Sequence, residues 1–218
     1  MLDQLPSIGP TLVALGAAGL IPILVVTTTA FAKVTIVLFL LRNALGVQQA
    51  PTGLVLNVVA LMLTFFISGP MWFEIIESIQ DADIDFSTID SVKEAYPLIE
   101  EPLRAQLSSF ATDREKAFFI SAAKELWPAR LHGYATPDSL FIIVPAFVIS
   151  EITRAFEIGF MLFLPFVVID MIVSNVLLAM GAMMVPPMLI SLPAKLFLFV
   201  AADGWARVLH GLLVSYIP

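Results

Sequence analysis

Long apolar runs alternate with short polar interruptions along this chain, and their lengths predict an all-α protein. Apolar stretches cover residues 11–31 and 53–73, and a longer region covers residues 141–205. Runs of this length are typical of helices that cross or enter a membrane. The first stretch is expected to continue as one helix through residues 33–45 and to end at Gly46. We therefore predict membrane-associated helical hairpins.

Prolines interrupt these apolar stretches. A proline has no N–H to donate and disfavours helical geometry in the residue before it, so Pro145 and Pro165 are predicted to break their helices. Pro22 and the threonines at 27–29 indicate that the first stretch is not a uniform lipid-facing helix. Such breaks are better tolerated where neighbouring protein satisfies the freed backbone groups. The helices are therefore expected to pack largely against protein.

The longest apolar region is organised around residues 180–188, which contain four methionines, one glycine and the pair Pro186-Pro187. The two prolines cannot continue a helix, because neither supplies an N–H. The pattern predicts a helix, a methionine-rich tip and a second helix that runs back beside the first.

An acid and a base occupy matching positions in that hairpin. No charged residue lies between Asp170 and Lys195, which stand 13 residues before and 12 residues after Met183. At the rise of an α-helix, both lie roughly 18–20 Å from the tip, on facing helices. Pairing offsets most of the cost that either charge would have alone in an apolar setting. We predict a buried ion pair between Asp170 and Lys195 that holds the hairpin.

A second set of charges precedes the hairpin. Glu151, Arg154 and Glu157 are spaced so that neighbours can pair along one flank of a helix. They could form a ladder within one helix at a membrane edge, but the apolar sequence around them favours a ladder between subunits. Lys33 and Arg42 leave two possibilities open: their charged ends reach the membrane edge, or they contact a partner subunit or anionic lipid.

The acidity of the chain is confined to residues 74–138, which hold 13 acidic and 6 basic residues. This stretch is predicted to be a small helical segment, with one helix that begins after Thr112 and has Glu115 as the partner in a capping box. Residues 1–73 and 139–218 then form the two apolar hairpin regions. Because basic residues favour the cytoplasmic side, Lys33 and Arg42 predict a cytoplasmic first loop and an acidic segment on the other side.

The predicted buried side of that helix consists of Ala117, Phe118, Ile120, Ala123 and Leu126.

Composition narrows the possible functions. Charged residues make up 13% of the chain, against about 25% in soluble domains, which indicates a membrane protein. The sequence has no cysteine and only two histidines, His132 and His210, so we predict no metal, no cofactor and no catalytic site. Clustered basic residues are absent, which argues against nucleic-acid binding. The first ten residues carry no Lys or Arg, which predicts a retained segment rather than a cleaved signal.

Several longer motifs resemble one known family. They are Leu41-Arg42-Asn43-Ala44-Leu45-Gly46, Pro145 to Glu151, Phe163 to Asp170, Met180 to Pro187, Ser191-Leu192-Pro193 and Asp203-Gly204-Trp205. In this order they resemble the FliP/SctR family, the export-gate proteins of flagellar and injectisome type III secretion. Residues 46–49 favour the injectisome member SctR over flagellar FliP, whereas residues 185–187 are closer to the flagellar one.

The resemblance implies a subunit of an inner-membrane gate with a periplasm-facing segment. In the family, typically five copies assemble with SctS-like and SctT-like subunits into a closed helical gate, and unfolded polypeptides pass through its centre. The family's tip usually reads Met-Gly-Met-Met-Met, and here Ala182 replaces one methionine.

Within such a gate the methionines would have a sealing role. Met180, Met183 and Met184 are spaced to share one helix face, which is also the pattern of ordinary core. Methionine can repack around varied partners, so we predict that these three side chains seal the pore. An alternative function is an ion-coupled transporter that uses Glu151, Asp170 and Lys195 as a relay. An intramembrane hydrolase would need a Ser–His or paired-Asp site, for which the sequence offers no credible set.

Overall fold

A computed structural model describes residues 8–47, 49–82 and 89–217, and every regular element in these ranges is helical. The prediction of an all-α fold is therefore confirmed for the described chain. The elements, in chain order, are α1 (Ile8–Thr28), α2 (Phe31–Leu45), α3 (Gly53–Asp81), α4 (Ile89–Phe110), α5 (Asp113–Leu126), a 3₁₀ segment (Ala129–Tyr134), α6 (Leu140–Ala179), α7 (Met188–Ala201) and α8 (Gly204–Val214).

The first apolar stretch does not continue as one helix, so that prediction is wrong. The chain bends by 78° between the end of α1 and α2. The hydroxyls of Thr27, Thr28 and Thr29 donate to carbonyls four residues earlier, at 2.8, 2.7 and 2.5 Å, a pattern that weakens and bends helices. The predicted end of α2 is confirmed: Gly46 adopts a left-handed conformation (φ 76°), and its N–H donates to the Asn43 carbonyl.

The helices continue through the prolines that were predicted to break them. Pro145 and Pro165 lie inside α6, a helix of 40 residues. Pro70, for which no break was predicted, likewise lies inside α3, a helix of 29 residues. Pro22 lies inside α1, and the breaks instead follow α1 and α7, where the chain bends by 78° and 63°. Helix α3 also runs past residue 73, across the boundary proposed from the charge pattern.

Within the described ranges, two helices are long and apolar enough to cross a membrane, or up to four if each bent pair of helices counts as one span. These two, α3 and α6, far exceed the ~20 residues that a span needs. Large apolar side chains are exposed along both; examples are Phe65, Phe66 and Phe73 on α3 and Phe160 and Met161 on α6. Such surfaces suit lipid or neighbouring protein.

Helix α2 lies at the centre of the described bundle. Its residues Val34, Val37, Leu38 and Leu41 are fully buried, and it packs chiefly against α6 and α3. The approach to α6 is close, because a Cβ added to Gly159 would lie 2.3 Å from Leu40 Cδ1. A larger residue at position 159 would therefore require the Leu40 side chain to move.

The acidic segment is helical, as predicted, but its helix α5 is anchored differently. Helix α5 begins at Asp113 after Thr112, but the Thr112 side chain makes no capping bond. The Thr112 backbone N–H donates to Ser150 Oγ on α6 at 3.0 Å, and the two hydroxyls lie 3.1 Å apart. The predicted capping box is wrong because a tertiary partner takes the hydroxyl.

The buried side of α5 also differs from the prediction. Of the five residues expected there, Ala123 is buried and Ile120 is half-buried and packs against the same apolar cluster. Phe118 and Leu126 are 59% and 81% exposed. Phe119 instead packs against two buried apolar clusters, which include Ile142 and Ile143 at the start of α6. The exposed residues leave an apolar face of α5 uncovered in the single chain.

Candidate functional site: the methionine-rich tip and two charge clusters

The tip, residues 180–187, is shaped by the way in which α6 ends. The Ala182 N–H donates to the Leu177 carbonyl at 2.9 Å and the Gly181 N–H donates to the Leu178 carbonyl at 3.0 Å. With Gly181 in a left-handed conformation (φ 72°), these bonds form a Schellman motif that stops the helix. A turn then leads through the two prolines into α7.

The methionines of the tip do not share a helix face, so the spacing argument from the sequence is wrong. Helix α6 ends at Ala179, with Met180 as its C-cap, and Met183 and Met184 lie in the turn. All three side chains project from the tip and are 75%, 78% and 98% exposed. They are therefore not part of the core of this chain, and their sealing role stays a prediction.

Asp170 and Lys195 meet between α6 and α7. Lys195 Nζ donates to Asp170 Oδ2 at 2.6 Å and to the Ala44 carbonyl at 3.2 Å. Ala44 lies in the last turn of α2, where carbonyls lack partners within the helix, so one ammonium joins three helices. Burial is uneven: the Lys195 side chain is 8% exposed and the Asp170 side chain 43% exposed. The pair is thus buried only on its lysine side.

We expect the two partners of this pair to differ in importance. Asp170→Ala leaves the buried Lys195 ammonium with one carbonyl, at a cost of about 3 kcal/mol of unfolding free energy. Lys195→Ala leaves a half-exposed carboxylate that water can solvate, so the cost should be about 1–2 kcal/mol. Thermal unfolding of the purified variants in detergent measures both.

The exchange Asp170→Lys with Lys195→Asp completes that test. It restores the pair but turns a carboxylate towards the Ala44 carbonyl, so the double variant should be more stable than either single reversal and less stable than the parent. Equal loss in the double and both single reversals would contradict a role for the pairing.

A second cluster surrounds Glu151. Lys33 Nζ donates to Glu151 Oε1 at 3.1 Å, and both side chains are at most 1% exposed. The Tyr216 hydroxyl donates to Glu151 Oε2, and the Lys33 ammonium lies 3.4 Å from the centroid of the Tyr216 ring. Arg154 Nη1 lies 3.6 Å from Glu151 Oε1, and the Arg154 side chain is 37% exposed. The carboxylate is therefore enclosed by groups from α2, α6 and the residues after α8.

This cluster corrects two predictions. Glu151 does not face another subunit, because its partners belong to its own chain; only Arg154, which is partly exposed, and Glu157, which is exposed, remain candidates for contacts between subunits. Lys33 neither reaches the membrane edge nor contacts lipid, because it is fully buried. Neither Tyr216 nor the Ala44 carbonyl was predicted, because no local pattern marks a partner that comes from a distant part of the chain.

The structure does not bring the proposed relay residues together. Glu151 and Asp170 lie on the same helix, 19 residues apart, which corresponds to about 28 Å. Each has its own lysine partner. Two separate clusters do not form a continuous path for ions, so the geometry argues against the ion-coupled transporter.

The fold and these clusters define a helical membrane protein in which two ion pairs, Lys33–Glu151 and Asp170–Lys195, join its helices. The chain belongs to the FliP family, whose model matches residues 14–212. This confirms the resemblance that was read from the motifs.

Three relatives extend this result over nearly the whole chain. The chain is 46% identical over 216 residues to probable translocation protein y4yL of Sinorhizobium fredii, covering 99% of this chain and 97% of the relative. It is 44% identical over 213 residues to Yop proteins translocation protein R of Yersinia pestis, covering 98% of both. It is 39% identical over 203 residues to harpin secretion protein HrpW of Pseudomonas syringae, covering 93% of this chain and 98% of the relative.

Proposed function

We propose that this chain is a core subunit of the type III secretion export apparatus and forms part of the inner-membrane gate through which unfolded proteins are exported. Membership of the FliP family and the names of the relatives, which describe translocation and secretion proteins, support this proposal. The chain acts as a conduit and not as a catalyst.

The observation that carries the gate proposal is the exposure of the tip. Met183 and Met184 expose 78% and 98% of their surface in the single chain. Removing apolar surface from water is favourable in free energy, so these two side chains would be stabilised by a partner that covers them. A ring of copies, five in the family, would bring these side chains together at its axis. SctS-like and SctT-like subunits would complete the assembly and cover other exposed helix faces.

Complementation tests the function directly. Deleting the gene in a bacterium that encodes this chain should abolish type III secretion of its substrates into the medium while ordinary Sec-dependent export continues. A plasmid copy of the gene should restore secretion. Unchanged type III secretion in the deletion strain would contradict the proposal.

The proposed topology places the acidic segment in the periplasm. Because the chain has no cysteine, a single introduced cysteine reports its own side of the membrane. Arg114→Cys, on the exposed face of α5 (side chain 93% exposed), should react with an impermeant thiol reagent in cells whose outer membrane has been permeabilised. Asn43→Cys, an exposed position near the end of α2, should react only after the inner membrane is opened. The reverse pattern would refute this topology.

A further inference from the structure

An apolar cavity of about 540 Å³ opens where α2, α3, α7 and α8 meet. Every described residue that lines it is apolar, among them Leu45, Val55, Leu56, Val59, Phe199 and Trp205. Its volume lies within the roughly 300–1,000 Å³ of ligand sites. An apolar ligand, or the apolar part of a larger one, would fit this lining.

The surroundings of the cavity indicate that the ligand comes from the membrane. The first turns of α3, which border the cavity, expose Leu54 (74%), Val55 (49%) and Val58 (56%), and α3 is one of the two long apolar helices. Trp205, 37% exposed, stands at the other wall, and tryptophan is enriched at the boundary between hydrocarbon and headgroups. The cavity therefore lies near the end of a membrane span, where an acyl chain can enter from the side.

Arg42, at the end of α2, lies next to this cavity with a guanidinium nitrogen that has no partner among the described residues. Arg42 is the only charged residue from position 34 to position 73, and it lies one helical turn before Leu45, which lines the cavity. Its guanidinium lies 4.9 Å from the Phe39 ring centroid, and its buried Nε has no hydrogen-bond partner among the described residues. A buried guanidinium N–H without a partner is costly, and a phosphate is an acceptor whose geometry matches the guanidinium.

We infer that this corner binds one anionic phospholipid, with an acyl chain in the cavity and the headgroup phosphate at Arg42. The positive-inside rule places Arg42 on the cytoplasmic side, where anionic lipids create a negative surface potential. The paired cations differ from Arg42 in this respect, because Lys33 and Lys195 are each bound to a carboxylate of their own chain. The site would fix the N-terminal end of α3 to the cytoplasmic leaflet. This anchoring role is separate from the proposed function as a gate.

Native mass spectrometry of the full-length chain in mild detergent tests the site. The probes are phosphatidylglycerol and phosphatidylcholine with identical acyl chains. The parent should bind one phosphatidylglycerol about tenfold more tightly than phosphatidylcholine, since a charge-assisted contact supplies about 1.4 kcal/mol or more. Arg42→Gln should remove this preference and Arg42→Lys should keep most of it. Arg130→Gln, at an exposed position of the 3₁₀ segment, is the control and should behave like the parent.

Two further variants test the cavity itself. Val55→Trp fills the cavity from a half-exposed position and should weaken the binding of both lipids, whereas Val58→Trp, on the same helix but outside the lining, should not. Unchanged lipid binding in Arg42→Gln or in Val55→Trp would overturn the inference. The inference would also be overturned if these variants bound lipid as the parent does but formed complexes with fewer protein copies. The cavity would then bind a neighbouring subunit. Should Val55→Trp fail to fold, the Arg42 variants and the two lipids decide alone.

Discussion

Replacing Lys33 by methionine is expected to destabilise the folded chain by about 3–5 kcal/mol, the range for removing one partner of a buried ion pair. Lys33 and Glu151 are both fully buried, so the remaining carboxylate cannot be solvated by water. It would keep only the Tyr216 hydroxyl and a distant contact with Arg154, at 3.6 Å. Thermal unfolding in detergent, followed by tryptophan fluorescence, measures the loss.

A double variant separates the charge from the packing. Lys33→Met with Glu151→Gln removes both charges but keeps similar volumes, and a buried pair can often be replaced by neutral groups at little cost. The double variant should therefore recover much of the stability lost in Lys33→Met. Lys124→Met, at an exposed position of α5, is the control and should change stability by less than about 0.5 kcal/mol. A double variant no more stable than Lys33→Met alone would contradict the role of the pair.

Local rules in the sequence predicted several features of the fold correctly. Gly46 ends α2 because glycine accepts the left-handed conformation that a C-terminal cap requires. Helix α5 begins after Thr112, as predicted, although the Thr112 side chain makes no capping bond. Counting residues along two antiparallel helices placed Asp170 and Lys195 at the same distance from the tip, and the two side chains do form an ion pair. Each of these rests on short-range geometry.

The features that the sequence did not reveal depend on distant parts of the chain. Lys33 and Glu151 are separated by 118 residues, and no periodicity relates two such positions. The Thr112 hydroxyl contacts Ser150, 38 residues away, which changed its local role. The prediction that Pro145 and Pro165 break α6 was wrong, because packing and an apolar surrounding can support a helix where one backbone hydrogen bond is missing. The break between α1 and α2 instead follows three threonines whose hydroxyls donate to backbone carbonyls.

The place of the tip methionines in the assembly is set by partner subunits and therefore does not follow from the sequence of one chain. Exposure of Met183 and Met184 in the single chain shows only that these side chains take no part in its core. Whether they touch an axis, a neighbouring copy or lipid depends on the partners. A variant that alters the tip without altering the fold can distinguish these cases.

Replacing both Met183 and Met184 by alanine is expected to leave the fold and the assembly intact and to make the resting gate leak. Neither side chain contributes to the core of the chain, so stability should change by less than about 0.5 kcal/mol. The volume that would seal the axis is lost, since alanine ends at Cβ. Conductance or small-solute flux through the purified complex in vesicles should rise severalfold over that of the parent complex.

Leucine variants at the same two positions test why the residue is methionine. Leucine restores the volume but has a branched, stiffer side chain, whereas methionine is unbranched and repacks readily. The Leu variants should therefore keep the complex tight and slow the export of polypeptides. Met161→Ala, which removes an exposed methionine from α6 far from the tip (70% exposed), is the control and should neither leak nor slow export. If the Ala variant of the tip assembles and stays as tight as the parent, the methionines pack against neighbouring subunits and do not seal the pore.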